Sequence, residues 1–323
     1  MMLIRNGKIL SYLNLTLTAA IWGFAFVAQR SGLESLDPFT FNALRFALGT
    51  LCVWLVRKVA RPGDAPARTD FDTTFTSKGI RQLLLLGLLL FCASSLQQTG
   101  MLWTSAGSAG FITGLYVVFV PLISLLRGRK LSKALLVSIP LAVMGLWLLN
   151  MNVGLNANLG NGLVLLGAVF WALHIQLIDR LTQLHSSLDI AVAQYAVCAL
   201  LSAFVAFPVS RAVPAWNMDL AELLQGISQA AVPILYAGVL SVGVAFTLQL
   251  HAQKKAAPEV ASVILCLEGV FAMLGGYLIL GEEVSLMAAT GAVLLLAAML
   301  ATILGEEQDH FLIDKKGKPK FDD

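Results

Sequence analysis

Leu-Leu-Arg-Gly-Arg-Lys-Leu-Ser, residues 125–132, closes one long apolar run (106–126) and stands before another (134–149). The pattern continues in both directions, with apolar runs at 11–29, 38–56 and 80–98 upstream and at 159–178, 188–209, 231–250, 257–280 and 284–304 downstream. A hydrocarbon layer about 30 Å thick is crossed by about 20 helical residues, and each run is near that length. Charge then sets the orientation. Nineteen of the 22 lysines and arginines sit in every second gap: Arg5 and Lys8, 57–81, 127–133, Arg180, Lys254 with Lys255, and 315–320. Positive charge resists translocation, so these gaps are read as cytoplasmic. Both termini then face the cytoplasm, the number of spans is even, and the runs make it ten.

The composition, 58% hydrophobic and 13% charged, is far from the roughly 25% charged residues of soluble domains. Arg5 and Lys8 ahead of the first run also suit a signal peptide. The run is too long for one, however, and Phe26 breaks the small-residue pattern before Ala28. Cys52, Cys92, Cys198 and Cys266 lie in separate runs with no paired spacing. They read as small buried hydrophobes, with no disulfide and no metal site.

The chain repeats itself. Trp22 in the first run and Trp171 in the sixth are 149 residues apart, and the same offset sets Arg45-Phe46 against Gln194-Tyr195. The opening stretch at 125–132 is answered by Leu-Ile-Leu-Gly-Glu-Glu-Val-Ser at 278–285, an offset of 153. Five spans is an odd number, so the second copy crosses the membrane in the opposite sense. The expected fold is an all-α integral membrane protein of ten transmembrane helices in two inverted five-helix repeats, 1–150 and 151–305. A polar cytoplasmic tail, 306–323, is expected to be disordered. Inverted repeats are typical of transporters with a site near the midplane.

Two ionisable groups fall well inside spans, where each costs about 2.5 to 3.5 kcal/mol on the insertion scale. Arg45 lies roughly 10 Å, and Glu268 about 13 Å, below the outer surface at about 1.5 Å per helical residue. Either they line one polar cavity, Arg45 attracting a substrate carboxylate and Glu268 binding an amine or a proton, or they make a structural ion pair or a polar interhelical contact that locks the bundle. His174 suits proton coupling, against the alternative of a neutral histidine hydrogen-bonded at the inner rim. Trp22 and Trp171 sit mid-span, away from the interfaces where membrane tryptophans gather, so they line a cavity or pack between helices. Tyr116 and Gln194 are candidate cavity groups. Gln98 and Gln249, near span ends, read as interface-solvated. Glycines 107, 110 and 114 give the fourth run a smooth face for close helix contact. No phosphate-binding loop, nucleophile elbow or metal-spaced cluster is present, which argues against an enzyme, an ATP-driven pump, a bound cofactor or a nucleic-acid partner.

Five segments carry a family likeness: Ala-Ile-Trp-Gly-Phe-Ala-Phe at 20–26, Asn-Ala-Leu-Arg-Phe at 42–46, Thr-Ser-Ala-Gly-Ser-Ala-Gly-Phe-Ile-Thr at 104–113, Val-Phe-Trp-Ala at 169–172, and Leu-Glu-Gly-Val-Phe-Ala at 267–272 followed by Leu-Gly-Glu at 280–282. In these the chain resembles the drug/metabolite transporter superfamily, in its ten-helix EamA-type branch. The resemblance implies a secondary carrier of the bacterial inner membrane that moves small metabolites such as amino acids, usually outward. It implies that helices one to four and six to nine surround the cavity, with helices five and ten peripheral. Gly269 and Val117 stand where that family commonly has proline after the glutamate and the tyrosine, which weakens the expectation of hinges there. The partners expected are a small solute, the lipid bilayer and protons, and the apolar helix faces leave a homodimer open. A non-transporting sensor or assembly subunit is the alternative reading.

An epitope tag placed within 57–79 is expected to react only after the membrane is permeabilised, as are tags at both ends. Surface reactivity of that gap overturns the topology.

Overall fold

The computed structural model describes residues 2–59, 76–151, 159–281 and 283–316. Its spans are α1 (Met2–Gly32), α2 (Pro38–Val59), α3 (Ser77–Gly100), α4 (Ala106–Leu126), α5 (Lys133–Asn150), α6 (Leu159–Leu181), α7 (Ser187–Ala212), α8 (Ala231–Ala252), α9 (Pro258–Ile279) and α10 (Leu286–Lys316). Among the described residues nine helices are long and apolar enough to cross a bilayer, and the shorter apolar α5 completes ten. No strand occurs among the described residues. Helices suit this environment because every backbone group inside hydrocarbon must be bonded within the segment.

The two halves pack alike. In the second half α6 rests on α3 and α4, and in the same way α1 rests on α8 and α9. The pairs α2 with α7 and α5 with α10 join equivalent helices of the two halves. α5 and α10 approach closely at glycine: a Cβ at Gly145 would lie 2.8 Å from Gly291 O, and one at Gly291 2.5 Å from Gly145 O. The match between residues 125–132 and 278–285 has a structural cause. Gly128 (φ 80°) and Gly281 (φ 68°) end α4 and α9 in the left-handed region, which favours glycine.

α4 and α9 are broken at corresponding points, 152 residues apart. In α4 the backbone tightens to i→i+3 bonds at Leu115, which donates to Ile112 O at 3.2 Å while Val118 donates to Leu115 O at 2.9 Å. In α9 Leu267 donates to Ile264 O and Gly269 to Cys266 O, each at 3.1 Å. Such a stretch within a helix marks a hinge or a functional site. The breaks form although Val117 and Gly269 stand where the resemblance leads one to expect proline. Small neighbours allow the kink instead: Gly114 lies under Leu146, and Cys266 Sγ bonds Gly114 O at 3.2 Å.

The gap between the seventh and eighth apolar runs holds the end of α7, a short turn at Pro214–Trp216 and an amphipathic helix, Leu220–Gln229. That helix is closed by a capping box in which Glu222 N–H donates to Asp219 Oδ1 at 2.8 Å and Asp219 N–H to Glu222 Oε2 at 2.9 Å. The tail, expected to be disordered, instead continues α10 as helix to Lys316, because helix propagation from a formed span is favourable. Lys8 Nζ pairs with Glu306 Oε2 at 3.5 Å where that extension begins. The remainder of the tail, 317–323, and most of the basic gap, 60–75, lie outside the described residues. Outward-facing Leu200, Phe204 and Phe207 of α7 and Leu286, Val293 and Leu300 of α10 are exposed, as lipid-facing surface should be.

Gly291→Ala is expected to lower the thermal midpoint in detergent, at an overpacking cost of about 1 to 3 kcal/mol. Gly162→Ala, whose Cβ would meet nothing within 4 Å, should not. Equal midpoints would show that the α5–α10 contact is looser than described.

Candidate functional site

α1 presents Trp22, Phe26 and Gln29 on one face, at the i, i+4 and i+7 spacing of adjacent helical turns. α6 does the same with Trp171 and Ile175. Arg45 comes from α2, Gln97 from α3, Thr113 and Tyr116 from either side of the α4 break, Ser241, Phe246 and Gln249 from α8, and Glu268 from the α9 break. These side chains line one narrow central cavity of about 40 Å³.

Five of the six binding residues expected from sequence meet here: Trp22, Arg45, Tyr116, Trp171 and Glu268. Gln194 does not line the cavity. It stands on α7 with its Oε1 2.7 Å from His174 Nε2, and both side chains are fully buried. The His174 ring meets Trp171 and Phe246 edge-on, with centroids at 5.8 and 6.2 Å. His174 and Gln194 thus stand behind the aromatic wall, away from the cavity surface.

Arg45 and Glu268 are 4% and 3% exposed and do not pair. Among the described residues the ion pairs are Lys8–Glu306, Arg57–Asp189 and Arg129–Asp179. The structural ion pair weighed from sequence is therefore not formed. Arg45 Nε donates to Asn42 Oδ1 at 2.9 Å, and its guanidinium lies 4.9 Å from the Phe46 ring centre and 5.9 Å from that of Phe41. Aromatic faces attract a cation without neutralising it. On the other side, Tyr116 Oη donates to Glu268 Oε1 at 2.9 Å, so the two breaks are joined by a side-chain bond as well as by Cys266.

The walls are aromatic. Phe246 sits edge-on to Trp22 at 4.6 Å and stacks on Trp171 at 5.8 Å, while the two tryptophans are 6.4 Å apart. Gln97 is the polar hub: its Oε1 accepts from Trp171 Nε1 at 2.8 Å and Thr113 Oγ1 at 3.4 Å, and its Nε2 donates to Gln29 Oε1 at 3.4 Å. Sequence reasoning missed Gln29, Gln97, Thr113 and Phe246. A signal existed for Gln97, because Ser-Leu-Gln at 95–97 is answered by Thr-Leu-Gln at 247–249 at the same offset of 152 that joins Tyr116 to Glu268. Interface solvation of Gln98 and Gln249 is also corrected. Both are buried, Gln98 Nε2 donating to Gln29 O at 3.1 Å and Gln249 facing the cavity. Neighbouring helices cover both side chains.

A cation and a carboxyl group held apart by aromatic rings, with no neutralising partner for the cation, can bind a small solute that carries complementary polar ends and an apolar body. An all-α bundle of spans around such a cavity defines a multi-pass membrane transporter. The EamA-like transporter family model matches residues 9–151 and again 158–304, and the chain belongs to that family. It is 29% identical over 294 residues to an uncharacterized transporter of Archaeoglobus fulgidus, covering 90% of this chain and 85% of that one. It is 22% identical over 282 residues to the uncharacterized transporter YoaV of Bacillus subtilis, covering 85% and 90%. A crystal structure with 17% identity superimposes with a TM-score of 0.69 over 91% of this chain and 97% of its own, which shows the shared fold.

The Tyr116–Glu268 bond should be visible in a double-mutant cycle on thermal stability in detergent. Tyr116→Phe and Glu268→Leu are expected to couple by about 0.5 to 3 kcal/mol. Additive losses would show that the bond across the breaks is not made.

Proposed function

We propose that the protein carries a small zwitterionic or amphipathic solute across the membrane by alternating access, the two inverted halves rocking about the cavity. Arg45 binds the solute's carboxylate, Glu268 its amine, and Trp22, Trp171 and Phe246 enclose its apolar portion. The observation that carries this reading is that Arg45 and Glu268, unpaired with each other, face one cavity beside the two helix breaks. Buried charges are costly, and retaining both without an ion pair is expected where a ligand completes them.

The direction proposed is export, with proton exchange at Glu268 as the drive. His174, behind the wall, is a second proton group through its bond to Gln194. The basic gaps support cytoplasmic termini, and the family likeness supports a bacterial inner membrane. The repeats are taken as 1–150 and 151–305, in line with the two family matches.

The substrate is to be found by comparing extracellular metabolites with and without the protein, then testing flux in reconstituted vesicles. Arg45→Ala and Glu268→Gln are each expected to cut the flux of that substrate about ten-fold or more, since removing one partner of a buried charge contact costs about 2 to 5 kcal/mol. A genuine substrate whose flux ignores both changes would displace the site. Loss of acceleration by an imposed proton gradient in Glu268→Gln, with passive exchange retained, is the result expected if Glu268 carries the proton.

A further inference from the structure

The cavity holds two tryptophans at equivalent places in the repeats and two glutamines, Gln97 and Gln249, at equivalent places on α3 and α8. α3 lies against α6, which carries Trp171, as α8 lies against α1, which carries Trp22. Symmetry therefore offers two indole-to-amide pairs. One is closed: Trp171 Nε1 donates to Gln97 Oε1 at 2.8 Å. The other is open. Trp22 Nε1 donates to the Ser241 backbone carbonyl at 3.3 Å, and Gln249 Oε1, on a side chain 1% exposed, has no hydrogen-bond partner.

A buried carbonyl left without a donor is costly and requires an explanation. The neighbours that serve Gln97 have no counterpart at Gln249. Repeat offsets match Gln29 to Ile178 and Thr113 to Leu265, neither of which has a side-chain donor. Trp22 is thus the symmetry-matched donor for Gln249. The backbone that holds Trp22 away from it is itself unusual. Residues Tyr236–Ala245 of α8 form a π-helix in which Ser241 O accepts the Phe246 N–H, whereas the matching part of α3 is ordinary α-helix. Short π segments within helices are often functional.

We propose that Gln97 and Gln249 are positioning residues used one at a time. In the oppositely facing conformation Trp22 releases the Ser241 carbonyl and donates to Gln249 Oε1, while Trp171 gives up Gln97. Exchanging the conformations of two inverted repeats produces the opposite-facing state, and this pair of bonds is what changes hands at the cavity. The proposal rests on the alternating-access reading and adds to it the groups that set the balance between the two states.

The test places a reporter in the cavity. Ser241→Cys is labelled with a membrane-impermeant methanethiosulfonate in right-side-out and inside-out vesicles, and labelling at position 241 is read by peptide mass. The readout is the ratio of the two rates, which a misfolded fraction does not bias toward either face. Gln97→Leu removes the Trp171 bond from the present state, along with the bonds to Thr113 and Gln29 that both states share, and Gln249→Leu removes the Trp22 bond from the other. The ratio is expected to move about five-fold in opposite directions, the equivalent of one buried hydrogen bond. In a Trp22→Phe background the Gln249→Leu shift should vanish, because the donor is gone. Shifts in the same direction, no shift with Gln249→Leu, or a shift that survives Trp22→Phe overturns the proposal. A lowered substrate affinity of Gln249→Leu with the ratio unmoved does so too. Labelling from one face only, in the parent and both variants, instead overturns alternating access itself.

Discussion

A hydrocarbon layer tolerates an interrupted helix only where protein surrounds the interruption, and the rest of this structure depends on how α4 and α9 meet that constraint. Each is broken near its middle, and each covers the other's break. Cys266 satisfies the Gly114 carbonyl, and Tyr116 bonds Glu268. These contacts join residues 152 apart, so they sit on the axis that relates the two halves. A polar group can stand at the centre of the bundle because the break places it against protein and cavity, away from lipid.

From that crossing the other helices take their places. α1 and α6 lie on its two sides, each bringing a tryptophan and a neighbour one or two turns further along its cavity face. α5 and α10 pair at the periphery through glycine, where the absence of Cβ lets backbone meet backbone. The aromatic cluster of Trp22, Trp171 and Phe246 then separates the cavity from the His174–Gln194 pair. Symmetry explains why the same residue types recur. Departures from it, Arg45 opposite Gln194 and Tyr116 opposite Glu268, give the cavity its uneven charge.

Arg45 shows how a membrane protein keeps a cation where insertion disfavours one. Its Nε is held by Asn42 three residues earlier on the same helix, and two phenylalanine rings flank it. None of these partners neutralises it. A soluble enzyme's surface arginine would gain little from such an arrangement, because water competes for it. In low dielectric the same contacts orient the guanidinium and leave its charge unneutralised.

Ten spans and two inverted halves were legible in the sequence because bilayer thickness imposes a run length and the spacing of similar residues records a repeat. Arg45, Glu268 and the mid-span tryptophans were legible for a related reason: polar or amphipathic groups at those depths stand out against leucine. Gln97 and Gln249 were not, since a glutamine near the end of a span looks like any interface residue until neighbouring helices are known to cover it. Gln194 misled because depth along a helix does not say which face a side chain occupies. The breaks at Leu115 and Leu267 also escaped, because they come from how two helices press on one another at Gly114 and Cys266, with no proline to announce them. Sequence determined how often and in which register the chain crosses the membrane, through local hydrophobicity and repetition. Only the tertiary structure decided which side chains share the cavity, because that depends on helix rotation and contact between residues more than a hundred positions apart.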